Sequence, residues 1–170
     1  MSTTKRKWTV KRVLKEILIT LALLLIISTL LNFVRQPDVT EDIYRYHLRD
    51  ISNEQIEFFD YKDEPLIVHF WGTWCPICRF EASTIDKLAE NYNVITIAVN
   101  SGSDEALQQY IQENNLEYRV INDRKGALAQ KFDIDVYPTT LIYNGEGELS
   151  FSEVGYITSV GLEARLALIK

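Results

Sequence analysis

The sequence predicts an α/β domain behind a single N-terminal membrane-spanning helix, on three observations. Strand-like and helix-like segments alternate from Leu66 to Ile121. The chain's only two cysteines, Cys75 and Cys78, sit two residues apart directly after an apolar run. A basic start, with Lys5, Arg6, Lys7, Lys11, Arg12 and Lys15, leads into the uncharged stretch Ile17 to Leu31.

Taken in order, residues 1–12 read as a basic tail and residues 13–34 as a signal anchor. Val13 to Val34 covers 22 residues, about 33 Å of helix against about 30 Å of hydrocarbon. Lys15 then lies at the headgroup level, where its stem can snorkel. Leu30-Leu31-Asn32-Phe33-Val34 offers no small-x-small cleavage pattern, so an uncleaved anchor is expected rather than a removed signal peptide. The positive flank keeps the N-terminus cytoplasmic and sends the remainder across the membrane. Residues 35–43 are a polar linker, and residues 44–170 form the exported domain. From Gln36 onward 11 Lys plus Arg face 23 Asp plus Glu, a formal charge of −12. Such a surface excludes nucleic-acid binding.

Within the domain, Tyr44 to Arg49 and Gln55 to Phe58 read as a hairpin around Asp50-Ile51-Ser52-Asn53. Leu66 to Trp71 is uniformly apolar apart from His69, the pattern of a central strand buried on both faces. A helix follows from Cys75 to about Asn91, with Ile77, Ile85, Leu88 and Ala89 on one side. Val94 to Val99 is a second buried strand. Ser101-Gly102-Ser103-Asp104 supplies an N-cap for a helix from Glu105 to Glu113. Tyr118 to Ile121 is a third strand and Gly126 to Phe132 a short helix. Thr139 to Tyr143 and Glu148 to Val154 flank the turn Asn144-Gly145-Glu146-Gly147. Ser159 to Lys170 closes the chain as a helix.

The cysteine pair is placed for chemistry. A loop as short as C-x-x-C constrains the unfolded chain little, so a structural staple is a poor reading. Zinc needs four ligands, and the chain adds only His47 and His69, neither placed as a second ligand pair. A cysteine at a helix N-terminus meets unpaired N–H groups and the positive end of the dipole, which favour thiolate. Cys75 is therefore the expected nucleophile. Cys78, one turn on, resolves the mixed disulfide, and Pro76 suits the first helical turn.

Several motifs agree with this placement. They are Phe70-Trp71-Gly72-Thr73-Trp74-Cys75-Pro76-Ile77-Cys78-Arg79, then Asn122-Asp123-Arg124-Lys125-Gly126, then Val136-Tyr137-Pro138-Thr139-Thr140, preceded by Phe59-Asp60-Tyr61-Lys62-Asp63-Glu64-Pro65-Leu66. With these motifs the chain from Tyr46 onward resembles the TlpA/ResA/CcmG group of bacterial membrane-anchored thiol-disulfide oxidoreductases, most closely its ScsD-like branch. The resemblance implies a thioredoxin-like fold: a central mixed sheet flanked by helices, with an N-terminal hairpin and an extra helix and strand between Asp104 and Ile121. It implies a cis Pro138, with Tyr137 facing substrate and Trp74 an exposed contact beside Cys75. Trp74, Pro76, Tyr137 and Pro138 form the implied substrate-binding set, while Phe70 and Trp71 belong to the core. His69 stands where thioredoxin has a buried acid and this group often has Asn, which makes it a candidate proton relay or a hydrogen-bonded core residue. Glu81 is kept from the CRxE pattern, either tuning the cysteines or lying solvated on the helix surface. Ser83 replaces the proline of that pattern.

The expected activity is thiol-disulfide exchange with exported proteins, the Cys75–Cys78 dithiol itself being the redox centre, with no metal and no organic cofactor. An oxidising compartment demands a membrane or periplasmic redox partner that recycles the dithiol. The expected location is the bacterial inner membrane, single-pass, with the domain periplasmic. The rival reading is a copper-delivery module, since thiolates select Cu(I). Against it, no His follows residue 69.

Overall fold

A computed structural model describes residues 10–34 and 42–169. Residues 1–9 of the expected tail (1–12), residues 35–41 of the expected linker (35–43) and the last residue of the expected closing helix, Lys170, lie outside the described residues. The chain divides into two compact units, Met1–Arg35 and Gln36–Lys170.

In the first unit, α1 runs Val10–Val34, 25 residues, or about 38 Å. Leu14, Ile17, Leu18, Leu21 and Leu24 are each more than half exposed within the chain. Several side chains of its C-terminal half lie outside the described set. Counting only the described residues, no helix is long and apolar enough to cross a membrane.

The second unit is a thioredoxin-like α/β domain. A hairpin of β1 (His47–Arg49) and β2 (Gln55–Glu57) comes first. Its first arm is shorter than expected, because Ile43–Arg45 forms a 3₁₀ turn capped by the Asp42 side chain. At the tip the Asp50 carboxylate accepts from the Ser52 and Glu54 N–H groups, the Asx-turn chemistry of a short polar residue.

The five-stranded sheet comprises β3 (Leu66–Trp71), β4 (Asn93–Val99), β5 (Arg119–Asp123), β6 (Thr139–Tyr143) and β7 (Leu149–Val154). Their order is β5-β4-β3-β6-β7. β3, β4 and β5 run parallel; β6 is antiparallel to β3, and β7 to β6. β3 is central and buried along its whole length, which its apolar composition requires. The segment expected as an insert supplies α3 (Asp104–Glu113) and β5. β5 is an outer strand, and the hairpin tip covers part of it: Ile51 N–H donates to Val120 O at 2.9 Å, and Arg119 grips Asp50 through Nε and Nη2. Open strand edges invite foreign pairing, and a covered one does not.

α2 spans Pro76–Ala89. Cys75 is its N-cap and Pro76 its first residue, where the missing N–H costs nothing. Cys78, Glu81, Ala82, Ile85 and Leu88 are its buried residues, spaced three and four apart as one helical face demands. Ile77, expected on this inward side, is instead 51 % exposed; it falls one residue off the stripe that begins at Cys78. α4 is Ala127–Lys131 behind Gly126, whose positive φ of 71° suits glycine. α5 covers Ser159–Leu166, ending earlier than expected, with Ala167 capping through its N–H to Glu163 O and Arg165 O.

The sheet divides the core. On one face Ile67, Trp71, Ala98 and Ile142 pack with Cys75, Cys78, Ile85 and Leu162. On the other, Leu66, Val68, Phe70, Ile97 and Leu141 pack with Phe132 and the N-terminal Ile43, Ile56 and Phe58.

Candidate active site

The cysteines lie where β3 hands over to α2. Cys75 and Cys78 are joined as a disulfide with Cα atoms 5.3 Å apart. Cys75 is 5 % exposed and Cys78 1 %, so the cap residue is the less buried of the two. The Cys78 N–H donates to Cys75 Sγ at 3.2 Å, satisfying one of the helix's orphan donors with the very atom that would carry negative charge on reduction. Such a donor lowers a thiol's pKa.

Around the sulfur the chain closes from two sides. The Tyr137–Pro138 peptide bond is cis, the isomer expected. Cys75 Sγ lies 3.8 Å from Tyr137 O; a disulfide sulfur carries no proton, so this is a contact rather than a hydrogen bond. Trp74 is half-exposed, as expected, and packs edge-to-face on Tyr137 with ring centroids 5.4 Å apart. Its Nε1–H donates to Val99 O at 2.9 Å. Thr73 N–H donates to Ser101 Oγ at 3.0 Å. Gly72 makes room for this: a Cβ there would stand 2.6 Å from the Trp74 ring. Pro76 is exposed beside Cys75. Phe70 and Trp71 are core, and Trp71 packs against Tyr110 and Tyr118.

Beneath the cysteines two ionisable groups are buried. His69 alternates with Ile67 and Trp71 and so faces the same side as the disulfide. Its Nδ1 lies 2.9 Å from Thr140 Oγ1. Burial pushes its pKa down to about 3, which holds the imidazole neutral. Glu81 is fully buried, so the solvated-surface reading of this residue is corrected: position three after Cys78 keeps it on the inward stripe. Its Oε1 accepts from Ile157 N–H at 2.8 Å, while Oε2 has no partner. Burial raises its pKa to about 7, the hydrogen bond from Ile157 opposing. A carboxyl in this setting exchanges its proton near neutrality.

Thr140, Ser101, the Val99 carbonyl and Ile157 were not singled out by sequence reasoning. Thr140 sat in view within the Val136-to-Thr140 motif; the other three are reached only across the fold. His47, on the hairpin, contacts Glu57 at the surface and joins no site. Among the described residues no three His, Cys, Asp or Glu side chains come together to hold a metal.

Comparison with known proteins fits this geometry. The family model described as the AhpC/TSA family matches residues 38–152. A thioredoxin-like protein of Haemophilus influenzae is 32 % identical over 160 residues, covering 92 % of this chain and 95 % of its own. The thiol-disulfide oxidoreductase ResA of Halalkalibacterium halodurans is 29 % identical, covering 76 % of each. Among solved structures, StoA from Bacillus subtilis superposes with a TM-score of 0.64 at 22 % identity, over 74 % of this chain and 98 % of that one. That likeness is one of fold.

Proposed function

The chain belongs to the AhpC/TSA family and is a thiol-disulfide oxidoreductase of ResA/StoA type, and from that premise we propose that it exchanges disulfides with exported proteins from the outer face of the bacterial inner membrane. The carrying observation is Cys75: less buried than its partner, capping α2, and set against the cis Pro138 turn. A partner thiolate attacks Cys75 Sγ, the Cys75–Cys78 bond breaks, and Cys78 leaves with the electron pair. A second partner thiolate then cleaves the mixed disulfide, so two thiols are oxidised to one disulfide while the pair gains two electrons and two protons. The same steps run backward when the pair is the donor.

Cys78 is the sulfur whose charge is costly, being 1 % exposed. Glu81, one turn along the same face, supplies the proton exchange that lets Cys78 leave as a thiol or attack as a thiolate. We assign this role to Glu81 rather than His69, because a pKa pushed to about 3 keeps His69 neutral throughout the working range while Glu81 sits near 7. His69 positions the sheet beneath the site through Thr140. Trp74, Pro76, Tyr137 and Pro138 form the surface on which the substrate strand rests. No metal or organic cofactor takes part, and a membrane or periplasmic redox partner returns the dithiol to its starting state.

Anchoring is supported by six Lys or Arg before Ile17, by the uncharged run that follows, and by the apolar side chains that α1 leaves uncovered within the chain. In water such a surface would be costly. A membrane-impermeant maleimide applied to intact, reductant-treated cells expressing the full chain tests location and reactivity together. Modification of Cys75 without lysis, with the protein in the membrane fraction, is expected. Labelling only after lysis, or a protein found in the soluble fraction, would overturn the placement.

A further inference from the structure

Three apolar side chains beside the disulfide are left open to solvent. Ile77 is 51 % exposed, Phe80 74 % and Tyr156 48 %. Ile77 and Phe80 stand three residues apart on α2, hence on one face of it, immediately flanking Cys78. Tyr156 reaches Phe80 from the turn between β7 and α5, with ring centroids 5.7 Å apart.

That turn is held on both sides of the active site. Gly155 N–H donates to Pro138 O at 2.8 Å, tying it to the cis-proline segment. Ile157 N–H donates to Glu81 Oε1, tying it to α2. Tyr156, between these two anchors, therefore has its backbone fixed relative to Cys75. An exposed aromatic pair on a fixed backbone loses little freedom when something packs on it, which makes it a good contact surface. Through Pro138 the turn adjoins the segment that Cys75 Sγ touches at Tyr137 O, so the pair borders the thiol's surroundings.

We propose that Phe80, Tyr156 and Ile77 form an apolar seat that selects polypeptide thiols whose cysteine is flanked by a large aliphatic or aromatic residue. The occupant is a partly unfolded or extended segment, because a folded protein buries such a residue next to its cysteine. The inference rests on the thiol-exchange reading above and adds the chemistry of the segment exchanged.

The test uses the full chain in detergent, oxidised, and two synthetic peptides, each with one cysteine, flanked by Leu in one and by Ser in the other. Two peptide thiols reduce the Cys75–Cys78 disulfide and leave as a peptide dimer, followed by acid quench and mass spectrometry. Each rate is divided by that peptide's rate on a small aromatic disulfide, removing differences in thiol pKa. The Leu peptide is expected to react about tenfold faster, the scale an apolar contact provides. In F80S and in the F80S/Y156S pair this ratio should fall stepwise towards one. A ratio near one in the unaltered chain, or an unchanged ratio in both variants, would overturn the seat while leaving thiol exchange standing. Failure of both peptides to reduce the oxidised protein, together with failure of the reduced protein to cleave either peptide's disulfide dimer, would overturn the thiol-exchange reading and the seat with it.

Discussion

The two faces of the central sheet are made by alternate residues of the same strands, yet they bury different chemistry. Away from α2, Leu66, Val68 and Phe70 of β3 meet Ile95, Ile97, Leu141 and Phe132, an apolar layer. Under α2 the alternate positions hold Ile67 and Trp71, but also His69, registered against Thr96 of β4 and Thr140 of β6. Above that row lie the disulfide and Glu81. Burying ionisable groups costs free energy that an aliphatic layer would not. One face therefore holds the domain together, and the other gives up some of that stability to place titratable groups beneath a reactive sulfur.

The comparison breaks most visibly on the apolar face. Phe70→Ala removes a fully buried ring and is expected to cost about 3–5 kcal/mol, read by urea denaturation of the oxidised protein. The pH dependence of Cys75 alkylation in the folded, reduced variant should match the parent. A shifted profile would mean that the two faces are not separate in function.

On the other face the effects are smaller and depend on pH. The Glu81 pKa is raised from its ordinary value to about 7. The unfolded chain therefore releases this proton at lower pH, and stability falls as pH rises from about 4.5 to about 7. Glu81→Gln keeps an acceptor for Ile157 N–H and abolishes the charge. It should stabilise the protein by about 2 kcal/mol at pH 8, leave stability near pH 4 almost unchanged, and remove the neutral-range step from Cys78 reactivity. Equal effects at both pH values would show that this carboxyl does not titrate in place.

His69 has the opposite sign. Its pKa is pushed down to about 3, so the unfolded chain binds the extra proton first and stability falls as pH drops below about 6.5. His69→Asn should weaken that acid loss by about 1–2 kcal/mol at pH 5, measured by denaturant titration at pH 5 and pH 7. Between about pH 4.5 and 6.5 the two groups oppose each other, so the double variant should show a flatter profile than either single one.

How much of this could be read from the chain follows the range of the interactions. The strand Leu66–Trp71 and the Asn144 turn are decided by neighbouring residues, and they were legible; the helix start was placed at Cys75, one residue before Pro76, and the cap role of Cys75 came from the structure. The cis Pro138 was legible only through the family resemblance that its motif carries. Glu81 was not: a carboxylate on an amphipathic helix reads as surface until its partner, Ile157 N–H, arrives from 76 positions away. Ile77 was misplaced for the converse reason, since an isoleucine reads as core although the inward stripe runs through Cys78. The Phe80–Tyr156 pair joins α2 to a turn near the C-terminus, and no local pattern announces it.

The central claim is that the cap cysteine attacks and the buried one resolves. Purifying C78S and C75S variants from cells under non-reducing conditions, and comparing their covalent adducts, tests it most directly. The account predicts reductant-sensitive mixed disulfides with other proteins on Cys75 in C78S, and few or none in C75S. Adducts confined to C75S, carried on Cys78, would contradict it.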